Sequence, residues 1–161
     1  MNKDEYRQYV LDAYKPAETM MRMAPADKLD WKPAPNFMSL GQLLHHLSEG
    51  VASGLRMLVQ NSWPSMEEME KGMKPESLPS CGVEEALRRL EEDKTVLREV
   101  LDGVSEKDFA EKIVSVPWGW QSKMERMALD FREHFIHHKM QLFTYLKLLG
   151  LPVNTETLYF G

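Results

Sequence analysis

Ser122-Lys-Met-Glu-Arg-Met-Ala-Leu-Asp-Phe-Arg-Glu-His-Phe-Ile-His-His-Lys-Met-Gln-Leu-Phe-Thr-Tyr-Leu-Lys-Leu-Leu-Gly150 reads as one long helix. Apolar residues recur at three-and-four spacing through Phe131, Phe135, Leu142, Tyr145 and Leu149, the period of a helix that buries one face. Ser122 with Glu125 has the form of a capping box and places the start there. Gly150, followed by Leu151 and Pro152, is a stop signal. Into this stripe the sequence puts His134 and His138. A helix turns about 100° per residue, so positions four apart lie only about 40° apart around the axis, one turn above the other. Two imidazoles so placed can point at one metal ion.

The chain has five histidines. His134, His137 and His138 lie in this stretch; His45 and His46 are adjacent in a second apolar-periodic segment. That segment reads as one helix from about 40 to 60, opened by a capping-box pair, Ser39 and Gln42. Leu40, Leu43, Leu44, Leu47, Val51, Leu55 and Leu58 form its stripe. His46 shares a flank with Leu43, Gly50, Ser53 and Met57, whereas His45 points nearly opposite the stripe, beside Gln42, Glu49 and Arg56. Periodicity thus favours His46 over His45 for an inward role. His137 is one residue off the line of His134 and His138. Gly50, Ser53 and Gly54 are small and would let another helix come close.

Further out, residues 3 to 23 keep a helical spacing through Tyr6, Val10, Ala13, Tyr14, Ala17, Met20 and Met21, interrupted by Pro16. Residues 24 to 38 hold Pro25, Pro33 and Pro35 and read as a loop carrying Trp31 and Phe37. Residues 61 to 82 form a long connection with a short helical turn at Ser65 to Lys71, and end at Cys81, a free loop thiol with no neighbouring base to lower its pKa. Residues 83 to 102 give a third long helix, with Val83, Ala86, Leu87, Leu90, Val96, Leu97, Val100 and Leu101 inward. Glu84, Glu85, Arg88, Arg89, Glu91, Glu92, Asp93 and Lys94 are its solvated side. Ser105 to Phe109 is a helical turn, and residues 110 to 121 connect it to the last helix. The expected fold class is all-α.

A chain of 161 residues suggests one domain, residues 1–161, with a core that needs no staples. Its net charge of −5 and lack of a dense Lys/Arg stripe argue against a nucleic-acid-binding surface. No apolar run is long enough to span a membrane, and the charged N-terminus lacks the apolar core of a signal peptide. A single cysteine permits no internal disulfide, and a reducing cytoplasm is the simple expectation. The twelve methionines read as gap-fillers of a helical core.

Neutral imidazole is a common ligand for Zn²⁺, Ni²⁺ and Fe²⁺. A catalytic zinc site has three protein ligands and an open position. His134 and His138 from one helix with His46 from another would supply three. No H-E-x-x-H, no phosphate-binding Gly-rich loop and no Gly-x-Ser-x-Gly appears. No general base stands out; Glu133 neighbours His134 but points about 100° away.

Several stretches together resemble one family: Asp30-Trp-Lys-Pro, Ser39-Leu-Gly-Gln-Leu-Leu-His-His-Leu, Pro117-Trp-Gly-Trp, His134-Phe-Ile-His-His-Lys-Met-Gln, and the closing Tyr145-Leu-Lys-Leu-Leu-Gly-Leu-Pro. In order and spacing they are similar to the DinB / YfiT-like superfamily of metal-dependent enzymes, from Trp31 to the end. The family pattern ends its H-x-x-x-H with Arg-Gly-Gln, where this chain has Lys139-Met140-Gln141. Its second-helix ligand directly precedes a Leu or Ile, which picks His46. The resemblance implies a four-helix bundle of DinB type with long crossover connections, often a homodimer. It also implies a divalent metal ion (Zn, Ni or Fe) on His46, His134 and His138, acting on a small-molecule substrate. A low-molecular-weight thiol such as bacillithiol or mycothiol serves some members as a second substrate. The expected function is a thiol-dependent S-transferase or a hydrolase, with Trp118 and Trp120 at the pocket rim. The alternatives are a non-catalytic, metal-binding or stress-related dimer, and a metal-free helical dimer whose histidines are polar packing.

Overall fold

The computed structural model describes residues 1–72 and 74–161, so Met73, within the long connection expected over 61–82, lies outside the described residues. The first helix, α1, spans Lys3–Met23, with Asn2 and Glu5 forming a capping box at its start. It buries Tyr6, Val10, Ala13, Tyr14, Ala17, Met20 and Met21 along one face and continues through Pro16. A 3-10 turn at Ala26–Lys28 lies in the loop that follows.

The segment from 40 to 60 departs from the expected single helix. It forms α2, Leu40–Ser48, and α3, Ala52–Gln60, with a break between them. At the break Gly50 adopts φ 62°, a left-handed conformation open to glycine at little cost. An interior carboxylate makes the break stable. Asp93 lies within 3.1 Å of the Ala52 amide, which donates to it, and the Tyr14 hydroxyl donates to the same carboxylate at 2.5 Å. The freed amides at the start of α3 thus find acceptors inside the protein rather than along a continuous helix. This also corrects the reading of Asp93 as part of a solvated face: it is buried, 7% exposed.

Short helix α4, Met66–Gly72, occupies the expected turn in the long connection. The next helix, α5, runs over Val83–Asp102 as its periodicity predicts, burying Ala86, Leu90, Leu97 and Leu101. Ser105 caps α6, Glu106–Glu111. The stretch read as a plain connection then forms a hairpin. Its strands, β1 (Ile113–Ser115) and β2 (Gln121–Lys123), pair antiparallel with Val114 opposite Ser122. The turn is closed by the Gly119 amide donating to Val116 O at 3.0 Å, with Gly119 at φ 90°.

The hairpin moves the start of the long helix. Helix α7 spans Met124–Leu148, and Lys123 precedes it without a side-chain cap. The expected Ser122–Glu125 capping box is therefore absent, because Ser122 is in the strand. The Met124 amide donates instead to Lys112 O at 2.9 Å, and Glu125 accepts from the N-terminal ammonium at 2.8 Å. A last short helix, α8 (Thr155–Tyr159), opens on an Asn154–Thr157 capping box. It lies against α1 and is held from α7 by the buried Lys139, whose Nζ donates to Leu158 O at 3.0 Å.

The four long arms are α1, α2–α3, α5 and α7. Both α1 and the α2–α3 arm pack against α5 and against α7, which makes the molecule an all-α bundle of four helical arms with long crossovers and one added hairpin. Met20, Met21, Met124 and Met127 are all buried in the core, the gap-filling role their flexible thioethers suit. Each buried Leu, Phe or Met side chain contributes about 1.5–3 kcal/mol relative to exposure. No helix among the described residues is long and apolar enough to cross a membrane.

Candidate metal centre

The last turn of α2 carries His46, and two successive turns of α7 carry His134 and His138. Where these helices pack together, one ring nitrogen from each histidine lies within 4.8 Å of the other two. The closest pair is His46 Nε2 and His134 Nε2 at 3.0 Å. The ring centroids are 4.4 Å (His46–His138), 4.6 Å (His134–His138) and 5.2 Å (His46–His134) apart. Two nitrogens each about 2.0–2.1 Å from one tetrahedral zinc are about 3.3 Å apart, so the His46–His134 pair lies near the spacing one ion requires.

The outer nitrogens settle which tautomer two of the rings adopt. His46 Nδ1 donates to Glu49 Oε2 at 3.1 Å, which leaves its Nε2 lone pair facing His134. His138 Nδ1 donates to Gln141 Oε1 at 2.9 Å. Gln141 is itself held, its Nε2 donating to the Tyr145 hydroxyl at 3.1 Å, which donates to Met38 O at 2.9 Å. Carboxylate and amide partners of this kind orient ligating histidines and raise their basicity.

Burial favours the neutral form of two of the rings, His134 and His138. Burial pushes His134 down to about 4, helped by His138, His46 and His137 close by, although its outer edge reaches solvent. Burial also lowers His138, against the opposing pull of its bond to Gln141. Partial burial raises Glu49, but the hydrogen bond from His46, with His46, His45 and Arg89 nearby, outweighs it and holds the carboxyl below its usual range. Three imidazoles converging on one point, with a carboxylate behind one of them, are a donor set suited to a divalent cation of borderline softness. The residues present therefore fit a three-histidine site able to coordinate a divalent metal.

The other histidines stay outside the cluster. His45 is half-buried, 4.0 Å from Glu49, and is lowered by burial and then by Arg89. His137 is exposed and 3.9 Å from Glu133. Cys81 is half-buried with its thiol pushed up by burial, and is not part of the cluster. Sequence reasoning did not single out Glu49, Gln141 or Tyr145 as supports. A signal was present: Glu49 and Gln141 each stand three residues beyond a cluster histidine, the spacing that puts side chains on one helix face.

Aromatic rings line both sides of the cluster along α7. One turn before His134, Phe131 stands 6.4 Å from Trp63, which stacks edge-on against Trp118 at 5.5 Å. Gly54 of α3 lets Phe131 approach closely; a Cβ there would lie 2.9 Å from its ring. One turn beyond Gln141, Tyr145 meets Trp31 edge-on at 5.5 Å and Phe37 at 6.4 Å. Trp118 thus joins the rings beside the cluster, whereas Trp120 is 64% exposed on the hairpin.

Comparison with known proteins bears on this arrangement. The family model described as DinB superfamily matches residues 12–142, a span that includes all three cluster histidines. Among solved structures, a protein assigned to the DinB family from Exiguobacterium sibiricum 255-15 aligns with TM-score 0.70 at 17% identity, covering 96% of each chain. A DinB-like protein from Bacillus cereus ATCC 10987 aligns at 0.72 and 16% identity, covering 96% of this chain and 98% of its own. A DinB-like protein from Bacillus subtilis aligns at 0.66 and 16% identity, covering 92% and 96%. At such identities the likeness is one of fold. No curated protein matches the chain.

Proposed function

The chain belongs to the DinB superfamily, and on that premise we propose that it is a divalent-metal-dependent enzyme acting on a small molecule at the three-histidine cluster. The observation that carries the reading is the convergence of His46, His134 and His138 at the protein surface, with one ring, His134, reaching solvent. A closed structural site uses four protein ligands; three with an open side is the catalytic pattern. An ion held there supplies a Lewis acid that makes water or a low-molecular-weight thiol nucleophilic near neutral pH.

The chain's own residues supply orientation. Glu49 and Gln141 fix the His46 and His138 rings, and the Phe131, Trp63 and Trp118 rings offer an apolar wall for the body of the substrate. Thiol transfer to an electrophile is the reaction we favour, with metal-assisted hydrolysis next.

Metal analysis of the wild type beside His46→Ala, His138→Ala and His137→Ala tests the site. Stoichiometric metal is expected in the wild type and in His137→Ala, and loss with helix content retained in the other two. Equal loss in all three variants, or a wild type that takes up none of Zn²⁺, Ni²⁺ and Fe²⁺, would overturn the proposal. A Co²⁺-loaded protein whose visible spectrum ignores added thiol would argue for a non-catalytic site.

A further inference from the structure

The break between α2 and α3 lies one turn beyond His46, and two residues far away in sequence hold it. The Val51 amide donates to the Tyr14 hydroxyl at 2.6 Å, and that hydroxyl donates to Asp93 Oδ2 at 2.5 Å. Asp93 also accepts from the Ala52 amide at 3.1 and 3.3 Å. Gly50 has no room for anything larger: a Cβ there would lie 2.3 Å from the Asp93 carboxylate and 2.7 Å from the Tyr14 hydroxyl.

Tyr14 touches the other metal helix as well. Its ring packs on Phe135 with centroids 4.7 Å apart, and Phe135 follows His134 directly. One side chain therefore ties the α2–α3 junction to the part of α7 that carries the second histidine. The apolar stripe of residues 40 to 60 is compatible with an unbroken helix, so without this clamp the local pattern favours a straight segment. Straightening would re-aim the last turn of α2 relative to α3, which is fixed by Phe131 against Gly54.

We propose that Tyr14 and Asp93 are positioning residues of the three-histidine centre: by holding the helix break at Gly50 they aim His46 at His134. The inference rests on the metal reading for its consequence, but its geometry is testable without metal. The test compares wild type with Tyr14→Phe and Asp93→Asn in the full chain. One readout is Co²⁺ titration followed by visible absorption. The other is the NMR cross-peak between the His46 and His134 rings in metal-free protein.

Tyr14→Phe should keep its helix content, lose the ring cross-peak, shift the Co²⁺ bands and bind Co²⁺ at least about tenfold more weakly, the scale of supporting-residue effects on metal affinity. Asp93→Asn, which keeps an acceptor for Ala52, should show a smaller effect of the same kind. A lower melting temperature with unchanged cross-peak, bands and affinity would overturn the proposal and leave a purely structural role. If the wild type binds no Co²⁺, the enzyme reading fails while the cross-peak still decides the clamp: loss in the variant supports it and persistence overturns it. Should Tyr14→Phe fail to fold, Asp93→Asn alone decides by the same readouts.

Discussion

Gln141 contacts no ion in any reading of the site, yet it governs one of the three rings. Its Oε1 fixes His138 in the tautomer whose Nε2 is free, and the Tyr145 hydroxyl holds the amide in turn. Replacing it by alanine should weaken Zn²⁺ binding about 10–100-fold with little change in thermal stability, since Tyr145 keeps its bond to Met38; competition against a chromophoric chelator would measure it. Asp93 makes a different prediction. Burial drives its carboxyl up to about 6 despite the hydrogen bonds that favour its charged form. A folded-state value above the unfolded 3.8 means folding takes up a proton between the two. The stability this group contributes is complete below about 3.8 and is lost as pH rises through about 6, on the order of 3 kcal/mol in all. Asp93→Asn should therefore flatten the melting-temperature profile between pH 4 and 7 relative to wild type. Both residues also show what a sequence withholds. The three histidines were legible because helical spacing and adjacency are visible along the chain. The role of Asp93 was not, because a carboxylate among seven other charged residues of 84–94 looks solvated until a distant tyrosine and a broken helix meet it.

At the scale of elements, α1 and α5 were readable to their ends because a single amphipathic face runs through each. The 40–60 segment kept its stripe through the break, so periodicity saw one helix where tertiary hydrogen bonds make two. The hairpin was hidden because each strand has only three residues, too short for alternation to speak; the available cue was the β-branched Ile113, Val114 and Val116 before Gly119. Helix α8 is short too, at five residues, and it adds a dependence that can be measured. Lys139 is buried, lowered by burial and then by Arg132, and its Nζ donates a hydrogen bond to Leu158 O. Removing residues 154–161 would strand that ammonium, at a cost of about 1–3 kcal/mol or more for a charged group. Lys139→Met should relieve most of that penalty in the shortened chain while destabilising the full one. A double-mutant cycle from urea unfolding would show this as coupling of about 0.5–3 kcal/mol.

Taken whole, the molecule places its candidate centre at the seam between α2 and α7, outside the core built from Tyr6, Met20, Leu43, Leu90 and Phe109. That core is built without the three histidines, so a chelator should leave the helical signal intact. The aromatic cluster gives the same molecule a second property. Trp63 lies against Phe131, a single turn from His134, and Trp118 lies against Trp63, so two of the four indoles sit close enough to the histidines to report on them through their native fluorescence. An ion with partly filled d orbitals, such as Ni²⁺ or Co²⁺, would drain that excited state, whereas Zn²⁺ would leave it bright. The colour and intensity of the protein's own emission would then tell an experimenter which class of ion had arrived, with no label attached.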